Sequence, residues 1–117
     1  MACKINNQYG EIVISDDVIT NLAGLYAMEC YGVVGMAAKR AKDGILELLQ
    51  RENLSRGVKL TPVEDKVVID LFVVLDYGVS MPAVCTSLIE TVKFNLERTT
   101  GIRIHAVNVT VEEVRIS

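Results

Sequence analysis

The 117-residue chain has no tryptophan, one histidine and an aromatic content of only 5%. A single histidine excludes multi-histidine metal centres and most His-dependent catalytic arrays. Few aromatics leave few platforms on which nucleic-acid bases can stack. The three cysteines, Cys3, Cys30 and Cys85, form no CxxC pair, so neither a zinc knuckle nor a thioredoxin-like redox motif is present. Cys30 and Cys85 stand among apolar residues and read as small buried hydrophobes, whereas Cys3 lies on a polar end and reads as a free thiol. That usage fits a reducing cytoplasm. No apolar run approaches the roughly 20 residues of a membrane span, and the strongest, 71–75, is bounded by Asp70 and Asp76. The N-terminal residues contain no apolar h-region, so no signal peptide is expected. Charge is nearly balanced: 15 acids against 12 bases give −3, too mild to imply a polyanionic partner.

Half of the residues are apolar and 23% are charged, which suits a globular core and argues against disorder. The length fits one domain, 1–117, able to bury about two-thirds of its unfolded surface.

Residues 11–15 read as a short strand. Ser15 then caps a helix, Asp16 and Asp17 complement its positive end, and Val18, Ile19, Leu22, Ala23, Leu25, Tyr26 and Met28 give it a wide apolar face. Gly32 and Gly35 punctuate its end. Asp43 is placed to cap a second, short helix carrying Ile45, Leu46, Leu48 and Leu49. Residues 58–63 and 67–76 predict a hairpin around Glu64-Asp65. Its second strand has Val67, Ile69, Leu71, Val73 and Leu75 on one face and Val68, Phe72 and Val74, interrupted by Asp70, on the other. A strand so apolar on both sides is expected to be central. Ser80 caps the clearest amphipathic helix, with Met81, Val84, Cys85, Leu88, Ile89, Val92 and Leu96 on one face, and Gly101 stops it. In the last strand, from Ile102 to about Val111, the apolar phase switches from Ile102 and Ile104 to Val107, Val109 and Val111. That switch demands a bulge or a face switch near His105-Ala106. The order β-α-α-β-β-α-β predicts an α+β two-layer sandwich: a mostly antiparallel sheet with helices on one face.

Few groups can carry chemistry. His105 has no Cys or Ser arranged around it and reads as a strand-surface or half-buried residue. Asp70 and Asp76 share a face but stand roughly 20 Å apart at about 3.3 Å per residue, too far for an acid/base pair. Catalytic, cofactor-binding and metal-ligating residues are therefore not assigned. Gly32-Val33-Val34-Gly35 has the GxxG form of the KH module, in which a glycine loop between two helices clamps nucleic-acid backbone. Lys39, Arg40, Lys42, Arg51, Arg56 and Lys59 follow, opposed by Asp43, Glu47 and Glu52, a local excess of three positive charges. Against this, both inner loop residues are valine and offer no cation. The contact loop so defined comprises Gly32, Val33, Val34, Gly35, Lys39, Arg40, Lys42 and Arg56. A KH-like RNA-binding module is the alternative reading. The C-terminal strand, with Arg103, His105, Asn108, Thr110, Glu112 and Glu113 among its apolar residues, is placed to be a sheet edge.

Four blocks, in order, carry a resemblance. They are Gly10-Glu11-Ile12-Val13-Ile14-Ser15 with Val18-Ile19, Leu22-Ala23-Gly24 and Tyr31-Gly32-Val33-Val34-Gly35-Met36; Asn53-Leu54-Ser55-Arg56-Gly57-Val58; Val68-Ile69-Asp70-Leu71 with Asp76-Tyr77-Gly78-Val79-Ser80-Met81-Pro82; and Thr100-Gly101-Ile102 with Val107-Asn108-Val109. The chain resembles the alkaline shock protein / Gls family of Gram-positive bacteria, in particular its short YloU-like members, over about 9–114. The resemblance implies a cytoplasmic, non-enzymatic protein of envelope stress and cell-envelope homeostasis. It implies self-association into a homo-oligomer and attachment to the inner face of the membrane through a small membrane-anchored partner, without direct insertion. It also implies a link to a fatty-acid-kinase-like protein. It supplies no catalytic residue and no cofactor.

Overall fold

The computed structural model describes residues 2–39, 46–48 and 56–116. Two strands come first, β1 (Ala2–Asn7) and β2 (Gly10–Ser15), followed by helix α1 (Asp16–Met28). Next are strands β3 (Val33–Lys39), β4 (Leu46–Leu48), β5 (Val58–Val63) and β6 (Lys66–Asp76). Helix α2 (Met81–Thr100) and strand β7 (Ile104–Arg115) complete the chain. The α+β class stands, and the expected element order holds approximately.

The caps lie where the sequence places them. Ser15 is extended (φ −70°, ψ 155°) and its hydroxyl accepts from the Val18 amide, with Asp16 and Asp17 in the first turn of α1. Ser80 accepts from the Ala83 amide, and Pro82 occupies the first turn of α2, where no amide partner is lost. Gly101 ends α2 at φ 75°, a conformation that costs other residues strain, and its amide donates to the Glu97 carbonyl. Val84, Leu88, Val92 and Leu96 recur every four residues and form the buried stripe of α2.

Strand β6 is the centre of the five-stranded sheet. β7 runs parallel along one of its edges from Val67 to Asp76. The other edge is shared end to end: β5 pairs antiparallel with 66–71 and β3 with 73–75. β4 extends the sheet from β3. The parallel β6–β7 pair is joined through α2, the crossover that parallel neighbours require. On the helix side of β6, Ile69, Leu71, Val73 and Leu75 are fully buried against Ile19, Ala23, Ala27, Leu88, Val92 and Leu96. On the other side Val74 is buried, whereas Val68, Asp70, Phe72 and Asp76 are half-buried. The central strand was therefore legible from its composition.

Three segments differ from the sequence expectation. Residues 2–7 form β1, which pairs with β2 as a separate two-stranded ribbon. The expected second helix around Ile45, Leu46, Leu48 and Leu49 is not what the described part of that segment builds: 46–48 is strand β4, paired with 37–39. Residues 43–45 and 49 lie outside the described residues. Leu46 and Leu48 fit a period of two as well as a helix, and the exposed margin of β3 supplies hydrogen-bond partners. Finally, 33–39 is strand. Val33 and Val34 are β-branched, and β6 offers 73–75 beyond the end of β5.

Candidate functional site

Strand β7 is held firmly at both ends. The Arg103 carbonyl accepts from the Val67 amide at 3.1 Å, and the Ile104 amide donates to Glu97 Oε2 at 3.2 Å. At the far end the Tyr77 amide donates to the Arg115 carbonyl at 2.8 Å. The expected bulge is present: Ile104 pairs with Val67, but Ala106 pairs with Val68, leaving His105 as the extra residue. A second shift leaves Glu112 unpaired, because Val111 pairs with Val73 and Glu113 with Val74. Between the bulges lies an unbroken ladder, 106–111.

Register sorts the side chains. Ile104, Val107, Val109, Val111 and Val114 oppose Val67, Ile69, Leu71, Val73 and Leu75, so they belong to the helix side. Ile104 and Val107 are buried, whereas Val109, Val111 and Val114 are only half-buried. On the opposite face Asn108 donates to Asp70 Oδ1 at 3.0 Å, so Asp70 is tied across the strands rather than paired with Asp76. Among the described residues β7 pairs with β6 alone, and its second backbone edge faces outward. From 104 to 111 this edge carries no Lys, Arg, Asp, Glu, Pro or Gly. The charges gather beyond it, where Arg115 bonds Glu113 at 3.2 Å and Arg103 bonds Asp65 at 3.0 Å. A strand edge of this kind is a template for adding another strand.

The residues of the expected contact loop are spread over different structures. Gly32 is a turn residue at φ +86°, where a Cβ would lie 2.9 Å from Val84 Cγ2. Its carbonyl accepts from the Asp76 amide at 2.9 Å. Val33 and Val34 are half-buried and Gly35 is buried, all three within β3. These four residues join a helix to a strand, not two helices, so the KH-type geometry expected of the GxxG pattern is not formed. Lys39 ends β3, and Arg56 is exposed just before β5. Arg40 and Lys42 lie outside the described residues.

Other reactive groups are dispersed. His105 is exposed on its bulge. Cys3, Cys30 and Cys85 are free thiols, each half-buried against the core. Burial pushes all three thiols up, aided at Cys3 by the Asp16 charge. At Cys30 a hydrogen bond from Thr91 opposes the burial, and Glu29 adds to it. Cys3 thus sits deeper than its polar sequence surroundings suggested. Among the described residues no three His, Cys, Asp or Glu side chains converge to hold a metal ion. No described helix is long and apolar enough to cross a membrane. Two open clefts flank the body. One, of about 580 Å³, lies between the ribbon and the β5–β6 turn and is lined by Lys4, Glu64, Asp65, Lys66 and Arg103 among others. The second, of about 480 Å³, lies at the start of α2 between Tyr31 and Tyr77.

The ribbon, the clefts and the second bulge escaped the sequence reading. The bulge had a signal: the step from Val111 to Val114 is odd, so the apolar phase switches a second time.

The architecture is an α+β sandwich whose sheet ends in an uncovered strand. The overall fold is similar to that of two substituted forms of the MamM-CTD, each at a TM-score of 0.51 and 14% identity, over 83–84% of this chain and 95–96% of those chains. The sequence pattern of the alkaline shock protein 23 family, described by a cell envelope-related function, matches residues 4–116. The chain belongs to that family. It is 37% identical to the Bacillus subtilis protein YloU, across 100% of this chain and 98% of YloU. It is 41% identical to the Streptococcus pyogenes protein Spy1614, across 99% of this chain and 97% of that protein. Both relatives are named only as uncharacterized.

Proposed function

We propose that the protein is a non-enzymatic interaction module of cell-envelope homeostasis, working in the cytoplasm by self-association and by docking to a membrane-anchored partner. The envelope assignment comes from the family. The module reading is carried by one observation: a strand fixed at both ends presents an outer edge free of charge and proline from 106 to 111. Backbone pairing along such an edge supplies affinity, and the side chains that alternate along it supply selectivity.

Sedimentation velocity on the purified chain across a wide concentration range tests self-association. A growing dimer or higher population is expected, and a monomer at every concentration overturns that part of the reading. A tagged pull-down from cytoplasmic and membrane fractions, washed at low and high salt, tests docking. Retention of untagged copies and of a small membrane protein at both salts is expected. Recovery of RNA that vanishes at high salt favours nucleic-acid binding instead, because phosphate contacts weaken steeply with salt.

A further inference from the structure

We infer that the occupant of the β7 edge is a second copy of the same strand, antiparallel to the first and related to it by a two-fold axis through Val109. The inference rests on the self-association reading and names its geometry. A two-fold interface brings one patch onto itself, so the patch must be self-complementary. Few strands meet that condition, because the side-chain pattern must read the same in both directions.

β7 meets it. Its helix-side residues are Ile104, Val107, Val109, Val111 and Val114. Relative to Val109 they stand at −5, −2, 0, +2 and +5, a mirror-symmetric set. The symmetry exists because each half of the strand contains one bulge, His105 before the centre and Glu112 after it. In the two-fold arrangement Val109 faces Val109, Val107 faces Val111 and Ile104 faces Val114. The apolar layer beneath the helices then continues across the junction. On the opposite face Asn108 meets Thr110, both uncharged and exposed. Glu113 and Glu112 of one copy then face His105 and Ala106 of the other, so no two carboxylates stand opposite each other. A register shifted by one residue opposes valines to Asn108 and Thr110 and breaks the layer. The half-burial of Val109, Val111 and Val114 is the cost that pairing removes.

Cysteine cross-linking reads the register directly. In a background with Cys3, Cys30 and Cys85 replaced by Ala, Val109→Cys puts two thiols opposite each other across the axis. Mild oxidation is expected to yield a covalent dimer as the main product. Asn108→Cys and Thr110→Cys stand at exposed positions, where folding is least disturbed. Each alone is expected to stay largely unlinked, whereas an equimolar mixture links. If the wild-type chain sediments as a dimer but neither Val109→Cys nor the mixture links, the β7 pairing is wrong and self-association stands. If Asn108→Cys alone links as readily as Val109→Cys, the register is wrong. A wild-type chain that remains monomeric overturns both.

Discussion

The two long edges of the sheet are built differently. β5 places Lys59 and Pro62 within six residues and turns at Glu64, a non-glycine residue at φ 56°. Lysine and proline are the usual means of keeping an edge from pairing. β7 spans twelve residues and has neither between its bulges. Both strands lie against the same central β6 and cover the same core, so the difference is not one of folding. It sets an edge guarded by lysine and proline beside one without such guards between its bulges.

The largest change comes from removing what both edges stand on. Leu88 is fully buried in the stripe of α2. Leu88→Ala is expected to destabilise the fold by about 3 kcal/mol in chemical denaturation, without distinguishing the two edges. The second change makes β7 resemble β5. Asn108→Lys with Thr110→Lys sets like charges opposite each other in the two-fold register. The dimer dissociation constant is expected to rise at least about tenfold, a shift of about 1.4 kcal/mol, with the melting temperature of the monomer little changed. Sedimentation equilibrium and differential scanning fluorimetry read the two quantities separately.

The converse change opens β5. Lys59→Thr with Pro62→Thr is expected to produce concentration-dependent association beyond the dimer, visible by light scattering. Dimers alone would show that β5 is protected by more than these two residues. A smaller effect is expected of Ser15→Ala, which removes the cap of α1 and costs about 1 kcal/mol by thermal or denaturant unfolding, leaving association unchanged. The smallest concerns the thiols. Burial holds the three cysteines protonated above their ordinary range, so alkylation at pH 8 is expected to be slower in the folded protein than in denaturant. Equal rates would place the thiols in water.

Much of the β7 edge could be read from the sequence alone. The break between Ile104 and Val107 required a bulge or a face switch, and the polar residues spaced through the strand marked an edge. What could not be read was the orientation of β7 beside β6 or the second bulge at Glu112. The glycine segment shows the opposite failure. Gly32-Val33-Val34-Gly35 matches a short loop pattern, but the same letters satisfy a turn followed by a strand. The deciding factor was the stretch of β6 left free at 73–75, which no local window contains. The ribbon and β4 were missed for the same reason, since runs of three to six residues take the form their neighbours allow.

By itself the sequence determined the elements whose signal is long and local. These are the capped helices α1 and α2, the hairpin of β5 and β6, and the central place of a strand apolar on both faces. Periodicity over ten or more residues, together with caps that bond within three or four residues, leaves little for distant contacts to change. Only the tertiary structure decided which strands share the edge of β6 and which edge stays open. It also decided that the apolar residues of β7 are symmetric about Val109 on one face. Those outcomes depend on hydrogen bonds between residues far apart in the chain, and a ladder exists only once both strands are in place.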